Sequence, residues 1–136
     1  MISYHYVNLS SDLLPKLLEL LGEAKDFYYD TYGEELVTEL LEVDMYMAME
    51  DGVPISCAGL RLGNTTDELV YVFTTQAHRG KGLARKLVTD LLSTTFKPVK
   101  AVLCSMEPSL PKLCESLGFV RGEVDGTDLY MFKDGR

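Results

Sequence analysis

Hydrophobic and polar residues follow two different periods along the chain, and the shorter period predicts strands. In residues 2–9 apolar and aromatic positions alternate with polar ones, as in a strand with one buried face. Other short runs rich in β-branched and aromatic residues are bounded by turn signals such as Asp51-Gly52. The predicted strands cover residues 2–9, 45–50, 53–62, 68–74, 99–104, 119–123 and 127–133.

The longer period, with apolar residues three and four positions apart, predicts four helices. The first begins after the N-cap signal Ser10-Ser11-Asp12 and ends at Gly22, because glycine is favoured just beyond a helix C-terminus. The other three cover residues 33–42, 82–92 and 109–118. The order is therefore strand, two helices, three antiparallel strands, helix, strand, helix and hairpin. It predicts one domain, residues 1–136, of mixed α/β (α+β) class with an antiparallel centre.

Composition and charge argue against several classes of protein. The net charge of −8 opposes nucleic-acid binding, which requires clustered Lys and Arg. No apolar run approaches the roughly 20 residues that span a bilayer, so no membrane association is expected. The cysteines (Cys57, Cys104 and Cys114) are odd in number and the chain opens with polar residues, so we expect reduced thiols and a cytoplasmic location. No His or Cys pair has metal-ligand spacing, so no metal site is expected.

The two halves of the chain differ in charge. Residues 1–68 contain 14 acidic and 3 basic residues, a net charge of −11, whereas residues 69–136 contain 7 acidic and 10 basic residues, a net charge of +3. The acidic half could steer a cationic substrate to the protein, or it could simply keep the protein soluble.

Residues 70–88 contain the strongest signal for binding. A β-branched and aromatic run leads through glycines at Gly80 and Gly82 into a predicted helix. The first backbone N–H groups of a helix have no partner inside it, so this arrangement predicts a phosphate site. Basic side chains add positive charge at the same end: Arg79, Lys81, Arg85 and Lys86.

Two common phosphate-binding motifs can be eliminated here. A P-loop requires Lys and then Ser or Thr after its last glycine, whereas Gly82 is followed by Leu83 and Ala84. A Rossmann fingerprint requires a small residue at the place of Arg85 and an acid about 20 residues further on, where residues 102–105 contain none.

The pattern R-x-x-G-x-A, read from Arg79 to Ala84, resembles the Q/R-x-x-G-x-G/A pyrophosphate loop of the GNAT superfamily of acetyltransferases. Residues 113–119, LCESLGF, are similar to the L-Y-E-K-L-G-F that closes the GNAT cofactor site, at the expected distance downstream. The resemblance implies six to seven strands flanked by about four helices. It also implies an N-acetyltransferase that moves an acetyl group from acetyl-CoA to a primary amine by direct attack. GNAT proteins are often dimers, so a homodimer is one assembly that it suggests.

The resemblance further implies where acetyl-CoA binds. Its pyrophosphate would lie on the N–H groups of Lys81 to Ala84, and its pantetheine arm along Val72 to Thr74, with an oxyanion donor near Phe73. The implied cofactor residues are Val72, Phe73, Thr74, Arg79, Gly80, Lys81, Gly82, Leu83 and Ala84.

The catalytic residues that the resemblance suggests are Glu68 and Cys114. Glu68, with Asp67 as the second choice, is the base, because the family often uses a carboxylate on this strand. Cys114 stands where the family often has a tyrosine that protonates the leaving thiolate. It could be the acid, could be a buried filler while water or Tyr130 supplies the proton, or could mark a lost activity.

The amine acceptor cannot be identified from the sequence. Tyr28, Tyr29 and Tyr32 are interleaved with acids and could bind an amine by cation–π contacts, or could pack a helix against the sheet. His78 is interpreted as a packing or surface residue, and Glu107 as a loop carboxylate that could help to bind the amine.

Two other functions stay open. A non-catalytic, coenzyme A-binding regulatory module would keep the fold and the cofactor site. An interaction protein would use its acidic half, residues 1–68, to bind a basic partner.

Overall fold

Seven strands form one sheet in the computed structural model, which describes residues 1–28, 41–106 and 108–135 and, for residues 24–28, the backbone alone. The strands are β1 (Ile2–Val7), β2 (Val43–Glu50), β3 (Val53–Arg61), β4 (Asp67–Thr74), β5 (Val99–Cys104), β6 (Val120–Asp125) and β7 (Asp128–Lys133). The helices in these residues are α1 (Leu14–Tyr28), α2 (Leu83–Leu92) and α3 (Ser109–Ser116), and a 3-10 turn covers Gln76–His78.

The sheet has the strand order β1-β2-β3-β4-β5-β7-β6. Every pair of neighbouring strands is antiparallel except β4 and β5, which α2 connects as a parallel crossover. The predicted mixed class and the mostly antiparallel sheet of seven strands are thus confirmed.

The core lies on both faces of this sheet. Along β2, Met45, Met47 and Met49 pack with α1 on one face, while Tyr46 and Ala48 contribute to the cluster with α2 and α3 on the other. Because successive side chains of a strand point to opposite faces, a strand covered on both sides has a nearly continuous apolar sequence. This double cover fixes β2 and β3 as the rigid centre beside which β4 is placed.

The first helix is longer than its sequence pattern predicts. Gly22 does not end α1, which continues to Tyr28. A glycine inside a helix costs about 1 kcal/mol relative to alanine, and the good helix formers Glu23, Ala24 and Lys25 follow it, so propagation outweighs this penalty. The predicted helix at 33–42 falls mainly outside the described residues, and its last two positions, Leu41 and Glu42, form a turn and a bend. In the part of the chain that the structure describes, no helix is both long enough and apolar enough to cross a membrane.

Candidate functional site

The strands β4 and β5 pair over only three residues and then separate. Asp67 to Leu69 face Val99 to Ala101, and no further pairs join the two strands. Both continue nonetheless, β4 along β3 to Thr74 and β5 along β7 to Cys104. The last residues of β4 therefore have a strand partner on one side only.

A β-bulge lies at the point where β4 leaves β5. The register with β3 passes from Gly59↔Val70 to Cys57↔Phe73, so β4 contains one extra residue. Tyr71 within this step has a φ of 53°, a left-handed value that bulged strands tolerate. Cys57 donates from its thiol to the Tyr71 carbonyl at 3.3 Å, and burial raises the pKa of that thiol to about 12, which keeps it a neutral donor.

Next to the separated end of β4 is a cavity of about 290 Å³. Its walls come from β4, from the loop and first turn of α2, and from the first five residues of α3. The lining residues are Val72, Phe73, Thr74, His78, Arg79, Gly80, Gly82, Leu83, Ala84, Arg85, Ser109, Leu110 and Leu113. Eight of the nine residues predicted to bind the cofactor are among them; the ninth, Lys81, is an exposed residue of the same loop.

The two glycines of the loop are required by backbone geometry. Gly80 and Gly82 both have a φ of +79°, and Gly82 is the N-cap of α2. A Cβ at either position would have no heavy atom within 4 Å, so the constraint is the left-handed φ and the space is open for a ligand. The first hydrogen bond of α2 runs from Lys86 N to Gly82 O at 3.0 Å, which leaves the preceding N–H groups directed outward at the positive end of the helix.

The side chains of His78 and Arg79 connect this loop to the sheet by hydrogen bonds and ion contacts. Arg79 donates from Nε to the Thr74 carbonyl at 3.1 Å, and its guanidinium lies 6.0 Å from the centre of the Phe73 ring. His78 makes a 2.8 Å hydrogen bond from Nδ1 with the Thr75 hydroxyl and lies 3.4 Å from the Glu50 carboxylate through Nε2. Both nitrogens of His78 are thus engaged, which supports a positioning role.

The predicted catalytic residues do not line the cavity. Glu68, half-buried at the start of β4, is held by Arg61 at 3.1 Å. Asp67 is fully buried and accepts from the Gly63 N–H at 3.0 Å and from Lys97 Nζ at 2.9 Å. Burial alone would raise the pKa of Asp67, but the Gly63 amide and the Lys97 ammonium outweigh it and hold that pKa below its usual range.

Cys114 lies in the core between α3 and the sheet. Its exposure is 0%, it belongs to the cluster that contains Leu103 and Met131, and burial raises the pKa of its thiol to about 12. Its neighbour Leu113 faces the cavity instead. Of the alternatives for this cysteine, the buried filler agrees best with this position.

The cavity lining also includes residues of α3 that the sequence did not single out. Ser109, Leu110 and Leu113 share one face of α3, and their spacing predicts only an amphipathic helix. Arg85 also lines the cavity, whereas Lys86 turns away to Asp90 at 2.7 Å and to the Tyr4 ring at 5.3 Å. Four residues suggested for the acceptor lie wholly or partly outside the described part of the chain. These are Tyr28, of which only the backbone is described, and Tyr29, Tyr32 and Glu107. Among the described residues there is no group of three or more metal-ligating side chains.

Solved structures of several bacterial and archaeal proteins share this fold. PaiA N-acetyltransferase from Thermoplasma acidophilum, in complex with coenzyme A, has a TM-score of 0.79 and 18% identity, with 98% of this chain and 99% of that chain covered. ElaA of Escherichia coli has a TM-score of 0.77 and 18% identity over 98% of this chain and 100% of its own.

A third structure contains both a cofactor and a product. N-acetylglutamate synthase from Neisseria gonorrhoeae, complexed with coenzyme A and N-acetyl-glutamate, has a TM-score of 0.75 and 13% identity over 100% of this chain and 35% of its own. At these identities the likeness shows the fold. No curated protein sequence matches the chain significantly.

The family itself is shown by the sequence match. The model of the acetyltransferase (GNAT) family matches residues 14–119, which include β4, the glycine loop and α3. The chain belongs to the acetyltransferase (GNAT) family, as its two motifs predict.

Proposed function

We propose that this protein transfers an acetyl group from acetyl-CoA to a primary amine by direct attack of the amine on the thioester. The observation that carries the proposal is the cavity of about 290 Å³ where the separated end of β4, the glycine loop and α3 meet. Membership of the GNAT family, and the coenzyme A bound to two of the similar structures, support the same cofactor.

The glycine loop would hold the cofactor's pyrophosphate. The N–H groups of Lys81 to Ala84 precede the first hydrogen bond of α2 and are available to phosphate oxygens. The positive end of the helix dipole adds roughly 0.3–1 kcal/mol for a bound anion. The pantetheine arm would lie along Val72 to Thr74, where β4 has no partner on its β5 side and can pair with the amide groups of the arm.

Attack on the thioester requires a neutral amine, because an ammonium group has no lone pair. We assign the base to Glu68, whose carboxylate Arg61 holds in one orientation at 3.1 Å. Since Glu68 does not line the cavity, the proton would reach it through an ordered water. Asp67 is less suitable, because Lys97 already neutralises its buried carboxylate.

Two further steps complete the reaction. A backbone N–H near Phe73, beside the bulge, would stabilise the tetrahedral oxyanion. Water or Tyr130, which is 40% exposed on β7, would protonate the leaving thiolate, because a thiol buried like that of Cys114 keeps its proton. For the acceptor we retain a cationic amine bound near Tyr28, Tyr29 and Tyr32, on the strength of the acidic residues around them in the sequence.

The Glu68→Gln variant tests the assignment of the base. We expect kcat to fall by about 100-fold and the pH profile to shift upward, because the reaction then depends on amine that is already deprotonated in solution. Glu115→Gln is the matched control, since Glu115 is also paired with an arginine, Arg121, at 3.0 Å but lies on α3 rather than on β4. An unchanged pH profile in Glu68→Gln would place the base elsewhere.

The second candidate function, a coenzyme A-binding regulatory module, is favoured by one observation, the burial of Cys114 where related enzymes carry a tyrosine. Release of free thiol from acetyl-CoA, measured with a panel of amines, separates the two functions. Turnover with any amine rejects the regulatory module, whereas tight cofactor binding without turnover across a broad panel rejects the enzyme.

A further inference from the structure

One cation of the cavity lining, Arg85, is hydrogen-bonded to a neutral side chain rather than to a carboxylate. Arg85, in the first turn of α2, donates from Nη2 to the hydroxyl of Ser116 at 2.8 Å. Ser116 in turn donates to the Leu113 carbonyl at 2.6 Å, so its oxygen is left to accept from the guanidinium. Arg85 is therefore held across the gap between α2 and α3 by a neutral group.

Two other cations, the adjacent Lys86 and Arg121 of β6, have carboxylate partners instead. Lys86 is paired with Asp90 at 2.7 Å, and Arg121 is paired with Glu115 at 3.0 Å. Among the described residues no carboxylate lies within salt-bridge distance of Arg85. The cavity lining likewise contains two arginines and, among the residues described, no aspartate or glutamate.

The second arginine of the lining is directed elsewhere. Arg79 faces back onto β4, where it contacts the Thr74 carbonyl and the Phe73 ring. The backbone N–H groups of the loop before Lys86 can bind one pyrophosphate. The guanidinium of Arg85 has further N–H groups besides the one that donates to Ser116, and these can bind another anion. A cavity of this design suits a ligand with a second anionic group, set apart from the first.

Coenzyme A is such a ligand, because its ribose carries a 3′-phosphate separate from the pyrophosphate. We propose that Arg85, positioned by Ser116, binds this ribose phosphate and makes the protein select coenzyme A over its 3′-dephospho form. This inference rests on the proposed function. Arg85 lines the cavity and is exposed to solvent, which fits the adenosine end of the cofactor, the end that lies furthest from the thioester.

Calorimetric titration of the whole protein with coenzyme A and with 3′-dephospho-coenzyme A tests the proposal. We expect the wild type to bind coenzyme A about tenfold more tightly, since a guanidinium–phosphate pair is a charge-assisted contact. The preference should shrink as salt is added, because the pair is exposed to solvent.

The Arg85→Gln variant should bring the two affinities to within about twofold of each other, leaving that for the dephospho form unchanged and so showing that the variant is folded. Arg85→Lys should keep part of the preference. Lys86→Gln is the matched control: it removes the same charge from the adjacent residue, whose side chain is directed at Asp90, and should leave the preference intact.

Three results would overturn the inference. Equal affinity of the wild type for both ligands, or an equal loss for both in Arg85→Gln, would reject the ribose phosphate as the group that Arg85 binds and leave the proposed function standing. Failure of the wild type to bind either ligand would reject the proposed function as well.

Discussion

The two ends of β4 are built in opposite ways, although they belong to one strand of eight residues. At its start, Asp67 to Leu69 pair with β5, and Glu68 and Leu69 pair with β3 as well. The charges of Asp67 and Glu68 are met by Lys97 and Arg61. At its end, Phe73 and Thr74 pair with β3 alone, and Val72 to Thr74 line the cavity. The bulge at Tyr71 lies between these two parts. The start of β4, which is paired on both sides, is its closed end and anchors the strand. The last residues, paired on one side only, are its open end and can present their backbone to a ligand.

The largest effect is expected from a charge at the open end. Gly82→Asp should weaken coenzyme A binding by at least about 100-fold, because like charges brought together cost several kcal/mol. Gly126→Asp is the control, since Gly126 also has a positive φ, 63°, and an empty surrounding but lies in the β6–β7 turn. Calorimetry gives the affinity and thermal unfolding gives the stability. Tight binding by Gly82→Asp would remove the loop from the cofactor site.

Asp67→Asn removes the buried carboxylate that pairs with Lys97 at the closed end. We expect this variant to lose about 2–3 kcal/mol of unfolding free energy at pH 7, below the usual cost of splitting a buried ion pair because Lys97 is partly exposed. Asp128→Asn, at an exposed position of β7, should change little. Urea unfolding measures both.

The same pair predicts a pH dependence. The pKa of Asp67 is lowered in the folded state, so its contribution is fully present above the unfolded value of about 4 and is lost as the pH falls through the folded value. The stability difference between the wild type and Asp67→Asn should therefore vanish in strong acid. A difference that persists in acid strong enough to protonate this carboxylate in the folded protein would mean that packing, rather than charge, anchors this end.

The bulge that separates the two ends depends on Gly59. A Cβ there would lie 2.5 Å from Met45 Sδ, 2.9 Å from Val43 Cγ1 and 3.3 Å from the Val70 carbonyl, so Gly59→Ala should cost about 1–3 kcal/mol by overpacking. Gly22→Ala is the control, because a Cβ at Gly22 in α1 meets nothing within 4 Å and should stabilise the protein by about 0.5–1 kcal/mol. If Gly59→Ala were equally stabilising, the close approach of Met45, Val43 and Val70 to Gly59 would be wrong.

The smallest effect is expected at Cys114, which packs beneath the open end. Cys114→Ala should cost about 1–2 kcal/mol of stability by leaving a small cavity, while kcat stays within about twofold of the wild type. Cys104→Ala, at a half-buried position, should change neither quantity. A large fall in kcat without loss of stability would instead make Cys114 the acid.

Much of the secondary structure could be predicted because its signals are local. The strand at Val99–Cys104 begins and ends as expected, and α2 starts within one residue of the predicted position, because Gly82 is a strong helix-start signal in this loop. The end of α1 could not be predicted, since Gly22 signals a C-terminus only when the backbone turns left-handed, and here the helical residues after it prevail.

The candidate site divides in the same way. Its glycine loop is a run of consecutive residues, so a motif could identify Arg79 to Ala84. The far wall, with Ser109, Leu110 and Leu113, and the Arg85–Ser116 bridge join residues about 25 to 30 positions apart. No local pattern distinguishes a helix face that lines a cavity from one that packs on a sheet. The sequence therefore cannot tell that Leu113 lines the cavity while the adjacent Cys114 is buried in the core.

The sequence by itself determined the family, the glycine loop between β4 and α2, and the order of the elements that the structure describes. It could do so because periodicity, turn residues and a left-handed glycine act over a few neighbouring positions. The tertiary structure alone decided where β4 leaves β5, that Cys114 is buried and that Arg85 is held by a hydroxyl. These features depend on which distant segments pack together, and packing is set by the whole sheet rather than by any stretch of the chain.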